Sequence, residues 1–298
     1  MLFNRSVDRV LCGCFVALAI VCFVIRGPLR AVAHSNDFAA IYTSCIALLH
    51  GRDPYDPAVV AGEWRDAGGP VDRAPTQMYT PSVYSPSTFV TMLPLALLNW
   101  RWAQLAMLTL NLVLIALLLE ALRRIMQLRW DDNRMLLLAG ITISLRGFAS
   151  AVQVGQLSIL VTTLGAIGVL LSSSGAAKSA GILYGLGLSI KAPVAMVFFV
   201  FAFFGGRWKS VLICLLVVLL ITAVGALRLI HQPWLGHWLD NLHSASAPGG
   251  VNDSSPANPT RIQLIHLQYP LSNMISARTV VSSIVVVVTL LYATPAAL

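Results

Sequence analysis

The sequence predicts an all-α polytopic membrane protein, a helical bundle of about eight spans, and three observations carry that expectation. Of its 298 residues 57% are hydrophobic and only 11% charged, less than half of the roughly 25% that a water-soluble surface carries. Apolar runs recur that approach the roughly 20 residues a helix needs to cross the hydrocarbon core. Basic residues gather in short connections between those runs. A chain with a mean hydropathy of +0.77 is neither a soluble globule nor disordered, because so much apolar surface collapses in water. The net charge of +8 would suggest nucleic acid in a soluble protein. Here it fits loops facing anionic lipid, and no nucleic-acid partner is expected.

The first span is expected over 10–26. Residues 1–33 imitate a secretory signal ending in Ala31-Val32-Ala33, but Arg26 and Arg30 interrupt the approach to that site. A retained anchor is therefore expected. Further clear spans are 103–122, 210–230 and 273–294. The shorter runs 135–146, 157–171, 180–190 and 193–205 complete the count, some of them tilted, broken or re-entrant. Residues 86–99, interrupted by Pro94, read as a half-depth or interfacial helix.

With the N-terminus in the cytoplasm, the inner connections hold Arg5, Arg9, Arg123, Arg124, Arg129, Arg134, Lys178, Arg207 and Lys209. The two short outer ones hold only Arg146 and Lys191. That is the bias of cytoplasmic loops. The chain then reads as one transmembrane domain, 1–298, with a first outer loop over 27–86 and a last outer loop over 231–272. All 6 histidines and most of the acidic residues fall in those loops. Of the 5 cysteines only Cys45 lies in an outer loop, so neither a disulfide framework nor zinc spacing is present.

The first outer loop opens with NDFAAIYTSCIALLH over 36–50. Its apolar spacing predicts an amphipathic interfacial helix, capped by Asn36 or Asp37 and stopped by Gly51 and Pro54. Asp37 then lies close to the end of the first span, where a partly desolvated carboxylate can serve as a general base or merely cap the helix. GRDPYDP (51–57) predicts a turn with Tyr55 at the interface. In YSPSTF (84–89), Pro86 suits a first helical turn, and Tyr84 is a pocket residue or a belt tyrosine.

VGQ (154–156) places Gln156 at the outer mouth of a span, and SIKAP (189–193) places Lys191 between two short runs. An ammonium near membrane depth is paired or functional unless it snorkels to the headgroups, and a lipid phosphate is its natural partner there. Gly181 and Gly185 have the spacing of a helix-packing pair. In the last outer loop His237 can bind a hydroxyl or assist proton transfer, and Arg261 can neutralise a phosphate. A metal set of His237, Asp240 and His243 is the sharper rival there, on weak spacing. No Walker loop, dinucleotide glycine fingerprint, serine elbow or HExxH pair occurs. An enzyme of this kind needs an activated donor already in the membrane, and a polyprenyl-phosphate sugar fits.

The series NDFAAIYTSCIALLHGRDPYDP, YSPSTFVTMLPLALL, VGQLSILVTTLGAIGVLL and AGILYGLGLSIKAPVAMVFFVFAFFGGRWKS resembles, over roughly 35–270, glycosyltransferase family 87. That family is the polyprenol-phosphate-mannose-dependent α-1,2-mannosyltransferase-like group. The resemblance implies a GT-C membrane fold and transfer of a hexose, mannose above all, from a polyprenyl-phosphate sugar to a glycan or glycolipid acceptor. It implies no metal or nucleotide cofactor, and a site on the extracytoplasmic side of the cell membrane. Carried across, Asp37 matches the family's catalytic aspartate, Gln156 and Lys191 match recurrent positions with pocket and phosphate roles, and Tyr84 matches the YxP entry. His237 and Arg261 transfer from a less regular loop. Here YSP replaces the commoner YPP, and the chain stops at Leu298 where members usually continue, so a shortened C-terminus is expected.

The implied mechanism is one inverting displacement: Asp37 takes the proton of the attacking hydroxyl and Lys191, with Arg261, stabilises the departing phosphate. A retaining route would need Asp53 or Asp240 beside Asp37. The rival readings are a transporter or lipid-linked-sugar flippase with Lys191 in its path, and an inactive shortened homologue.

Overall fold

The computed structural model describes residues 5–70, 82–248 and 250, and all regular structure in them is helical. The order is α1 (Arg5–Arg26), α2 (Pro28–His34), α3 (Asn36–Leu49), α4 (Pro57–Asp66), α5 (Pro86–Ala96), α6 (Trp100–Ile125), α7 (Asn133–Ser144), α8 (Arg146–Val154), α9 (Ser158–Ser173), α10 (Ala177–Phe204), α11 (Trp208–Arg228) and α12 (Trp234–Ser246). Short polar side chains set several starts. Asp56, Asn99 and Asp132 each accept a backbone N–H in the first turn of α4, α6 and α7, satisfying donors that a helix start leaves open.

Among the described residues, four stretches are long and apolar enough to cross a membrane, by length and composition alone: Asp8–Leu49, Trp100–Ile125, Ala177–Phe204 and Trp208–Arg228. The pair α7 and α8, bent by 50°, makes a fifth if taken as one. Leu18, Leu212 and Leu219 are each more than 60% exposed, as lipid-facing residues are. The protein is a multi-span, membrane-associated helical bundle. The expected eight spans exceed the four or five that the described residues show, and 273–294 lies outside them.

The runs expected over 180–190 and 193–205 are both within α10, where Lys191 (φ −153°, ψ 83°) interrupts the helix. The chain folds back there. A Cβ on Gly165 of α9 would meet Phe198, and one on Gly168, a single turn further along the same helix, would meet Tyr184. Tyr184 and Phe198 would stand about 21 Å apart on a straight helix. Ala180 and Ala202 likewise share one buried cluster with Tyr184 and Cys214. The two arms, 177–190 and 192–204, are thus antiparallel, with Lys191 at the tip and Pro193 in the first turn of the second arm, where its missing N–H is harmless. Gly181 and Gly185 let the first arm approach α11, since a Cβ there would stand 2.6 Å from the Ser210 carbonyl oxygen and 2.6 Å from Val217 Cβ. The packing reading of that glycine pair fits this contact.

Helix α3 departs from expectation in a different way. It forms over the expected residues, but Phe38 through Leu48 are all buried, so it is a core helix and not an amphipathic one at the interface. Its polar residues are absorbed internally. Thr43 donates to the carbonyls of Ala39 and Ala40, and Ser44 to that of Pro54. The cap is Ser35, whose hydroxyl turns back to the Ala31 carbonyl. Tyr55 is also buried, at 2% exposure, and donates to the Tyr84 carbonyl instead of anchoring at the interface.

Candidate active site at the α3, α9 and α10 junction

The first turn of α3 carries Asp37, half-buried. An anionic side chain is favoured at this end of a helix. Phe38 fixes the turn: its ring stacks on Trp100 at 5.8 Å and lies 6.0 Å from Tyr42. Behind it stands Gly155, which ends α8 in the left-handed region at φ +70°. A Cβ there would come within 2.5 Å of Phe38 Cβ, so this position needs glycine for its backbone and for the close approach. The DF and GQ pairs of the sequence are thereby docked on one another.

The residue after Gly155 is Gln156, and the link from it leads to Lys191. Lys191 Nζ donates to Ser158 Oγ at 2.9 Å, and Ser158 Oγ reaches Gln156 Oε1 at 3.4 Å. Asp37 lies within electrostatic range of both Lys191 and Tyr84. The Tyr84 hydroxyl is held well above the ordinary tyrosine range, first by burial and then by the Asp37 carboxylate. The Phe38–Gly155 contact, the Lys191–Ser158–Gln156 bonds and the electrostatic reach of Asp37 to Tyr84 and Lys191 thus bring these segments into one region, although they are spread over more than 150 positions of the chain.

The fold-back at Lys191 leaves the last carbonyls of the first α10 arm without helical partners. The SPST segment at the start of α5 supplies them. Ser87 Oγ donates to the Ser189 carbonyl at 2.9 Å and Thr88 Oγ1 to the Ile190 carbonyl at 2.9 Å, with Ser85 at 3.5 Å from the former. Gly225 of α11 packs on Pro86 from behind, its Cβ position 2.9 Å from the proline Cβ. Three hydroxyls thus hold the tip that presents Lys191.

His237 stands in a second cluster. Its Nδ1 pairs with Asp53 Oδ2 at 2.7 Å, while Asp53 Oδ1 accepts the Tyr55 N–H at 2.9 Å. Asn241 and Trp238 on the same helix donate to the carbonyls of Tyr55 and Val83. Asp53, buried at 4% exposure, therefore ties the GRDPYDP turn to α12. Among the described residues no group of three or more His, Cys, Asp and Glu side chains could hold a metal ion, and His237 is engaged with Asp53. Arg261 lies outside the described residues.

Ser158 and the Ser85, Ser87 and Thr88 set were not singled out from the sequence. The usable signals were the serine two residues after Gln156 and three hydroxyls flanking a proline ahead of a helix.

The family model for glycosyltransferase family 87 matches residues 83–298. Tyr84, Gln156, Lys191, His237 and Arg261 fall within the match, and Asp37 precedes it. No curated protein and no solved structure matches the chain. With most of its length matched by that model, the chain belongs to glycosyltransferase family 87.

Proposed function

We propose that the protein transfers a hexose, mannose by its resemblance, from a polyprenyl-phosphate donor to a hydroxyl of a glycan or glycolipid acceptor. In this reading the bundle is of GT-C type with about eight spans and a cytoplasmic N-terminus. The reaction takes place on the extracytoplasmic side of the cell membrane. Membership of a glycosyltransferase family supports transferase activity in general. The observation that carries the finer reading is the docking of Phe38 on Gly155 beside the Lys191–Ser158–Gln156 bonds, with Asp37 in electrostatic range of Tyr84 and Lys191.

The acceptor oxygen attacks the anomeric carbon while the bond from that carbon to the phosphate oxygen breaks. Asp37 takes the acceptor proton. The electron pair leaves with the polyprenyl phosphate, whose charge is met by Lys191 and Ser158, which are joined at 2.9 Å. Tyr84, kept protonated by burial and by Asp37, remains a hydrogen-bond donor, and Gln156 orients Ser158. By the resemblance alone, His237 is assigned to a hydroxyl of the acceptor and Arg261 to the phosphate. A single displacement suits the site because Asp53, one candidate for a second carboxylate, has both oxygens engaged elsewhere. A β-linked donor then gives an α-linked product.

The fold-back of α10 at a charged residue also suits a transporter, whose sites use broken helices. Transfer from labelled polyprenyl-phosphate-mannose by membranes bearing the wild-type chain or Asp37→Asn, at matched expression, separates the readings. Transfer by wild type that is lost in the variant is the expected result. Survival in the variant removes Asp37 from the role of base. Absence of transfer, with Lys191→Cys labelled from both sides of the membrane, would favour transport.

A further inference from the structure

A groove lies apart from the site above, between α1 and the bend where α7 meets α8. Its α1 wall is Phe15, Leu18 and Cys22, spaced to fall on one stripe of the helix, and Ile143 and Ala149 face them. Arg26 continues the stripe at the end of α1, and Arg146 enters the same end from α8. From Phe15 to Arg26 the helix rises about 16 Å, close to the depth of one leaflet of a ~30 Å core. Leu18 of its wall is 62% exposed, as a residue lining a slot on a lipid-facing surface should be.

Its charge is one-sided. Both guanidiniums are exposed, and among the described residues neither makes an ion pair with a carboxylate. Arg26 in the last turn of α1 suits the dipole of that helix. Arg146 is the first residue of α8, and no side chain caps that helix start. A cation is disfavoured there, and the open N–H groups add to the positive potential. Two like charges and a helix start at one end of an apolar slot call for an anion with a hydrocarbon tail.

We propose that this groove binds an anionic phospholipid of the membrane, with one acyl chain along α1 and the headgroup phosphate between Arg26 and Arg146. The assignment is independent of the transfer reaction, since no residue of the groove belongs to the candidate active site.

Native mass spectrometry of the full chain in neutral detergent tests it, with phosphatidylglycerol and phosphatidylcholine of identical chains as probes and inorganic phosphate as a control. The wild-type chain should retain phosphatidylglycerol over phosphatidylcholine by roughly 30-fold, two arginines each contributing what a basic residue gains near an anionic headgroup. Arg26→Gln/Arg146→Gln should abolish the preference, and Arg26→Lys/Arg146→Lys should restore most of it, which separates lost charge from lost folding. Cys22→Trp fills the slot without changing charge and should lower retention of both lipids. Equal retention of the two lipids by wild type, or an unchanged preference in the glutamine variant, would overturn the proposal. So would binding of inorganic phosphate as tight as that of the lipid, because no apolar slot is then involved. Displacement of phosphatidylglycerol by polyprenyl phosphate, lost in the glutamine variant, would instead assign the groove to the donor's tail.

Discussion

The two ends of α6 handle polarity in opposite ways. At the Ile125 end, Glu120 pairs with Arg123 and Arg124, Arg129 with Asp131, and Arg134 with Asp132. These are neighbours in sequence on side chains that solvent reaches, and water and salt screen pairs of this kind so that they contribute little to stability. At the Trp100 end the polar groups are buried or half-buried and come from distant segments. Ser87 and Thr88 hold carbonyls of α10, and Lys191 reaches Ser158 of α9. Such networks rigidify their surroundings only when their members are satisfied. The difference teaches where to look for chemistry: the exposed pairs can rearrange freely, whereas the buried set holds a cation and a carboxylate near each other in apolar surroundings.

Substitutions at the two ends should therefore differ in kind. The largest effect is expected at Asp37, where Asn should lower transfer about 10²–10⁴-fold, the range of a general base, with thermal unfolding in detergent unchanged. A drop in stability that matched the loss of activity would reduce Asp37 to a helix cap. Gly155→Ala comes next. It places a side chain in the left-handed region, costing roughly 1–2 kcal/mol, and against Phe38, costing roughly another 1–3 kcal/mol. The unfolding midpoint should fall accordingly, and a wild-type midpoint would contradict the docking of Phe38 on Gly155.

Ser87→Ala/Thr88→Ala follows, leaving the Ser189 and Ile190 carbonyls short of donors at about 1–3 kcal/mol. Because the tip then loosens, the maximal transfer rate should fall more than stability alone explains, which rate measurements on fully folded protein would reveal. At the other end, Arg129→Ala should change stability by less than about 0.5 kcal/mol and leave transfer intact. A strong effect there would erase the contrast between the two ends.

What the sequence made legible follows the same division. The helix over 36–49, the short helix after Pro86 and the break at Lys191 were all readable, because apolar spacing, proline and an isolated charge leave local marks. No spacing links Asp37, Gln156 and Lys191; only the order of motifs suggests that they share a site. The burial of α3 was not readable, since Thr43 and Ser44 look like a polar face until their hydroxyls are seen bonded to backbone carbonyls. Nor was the pairing of His237 with Asp53 across 184 positions, or the service of Ser87 and Thr88 to α10. Those depend on tertiary contacts for which residue spacing carries no signal.

The central claim is that Lys191 and Asp37 serve one site in different capacities, phosphate binding and proton transfer. Equilibrium binding of a polyprenyl-phosphate sugar to purified wild type, Asp37→Asn and Lys191→Gln tests it most directly. The account predicts that Asp37→Asn binds donor within a few-fold of wild type while Lys191→Gln weakens binding about tenfold or more, as loss of a charge-assisted contact should. Undiminished donor binding by Lys191→Gln would contradict it.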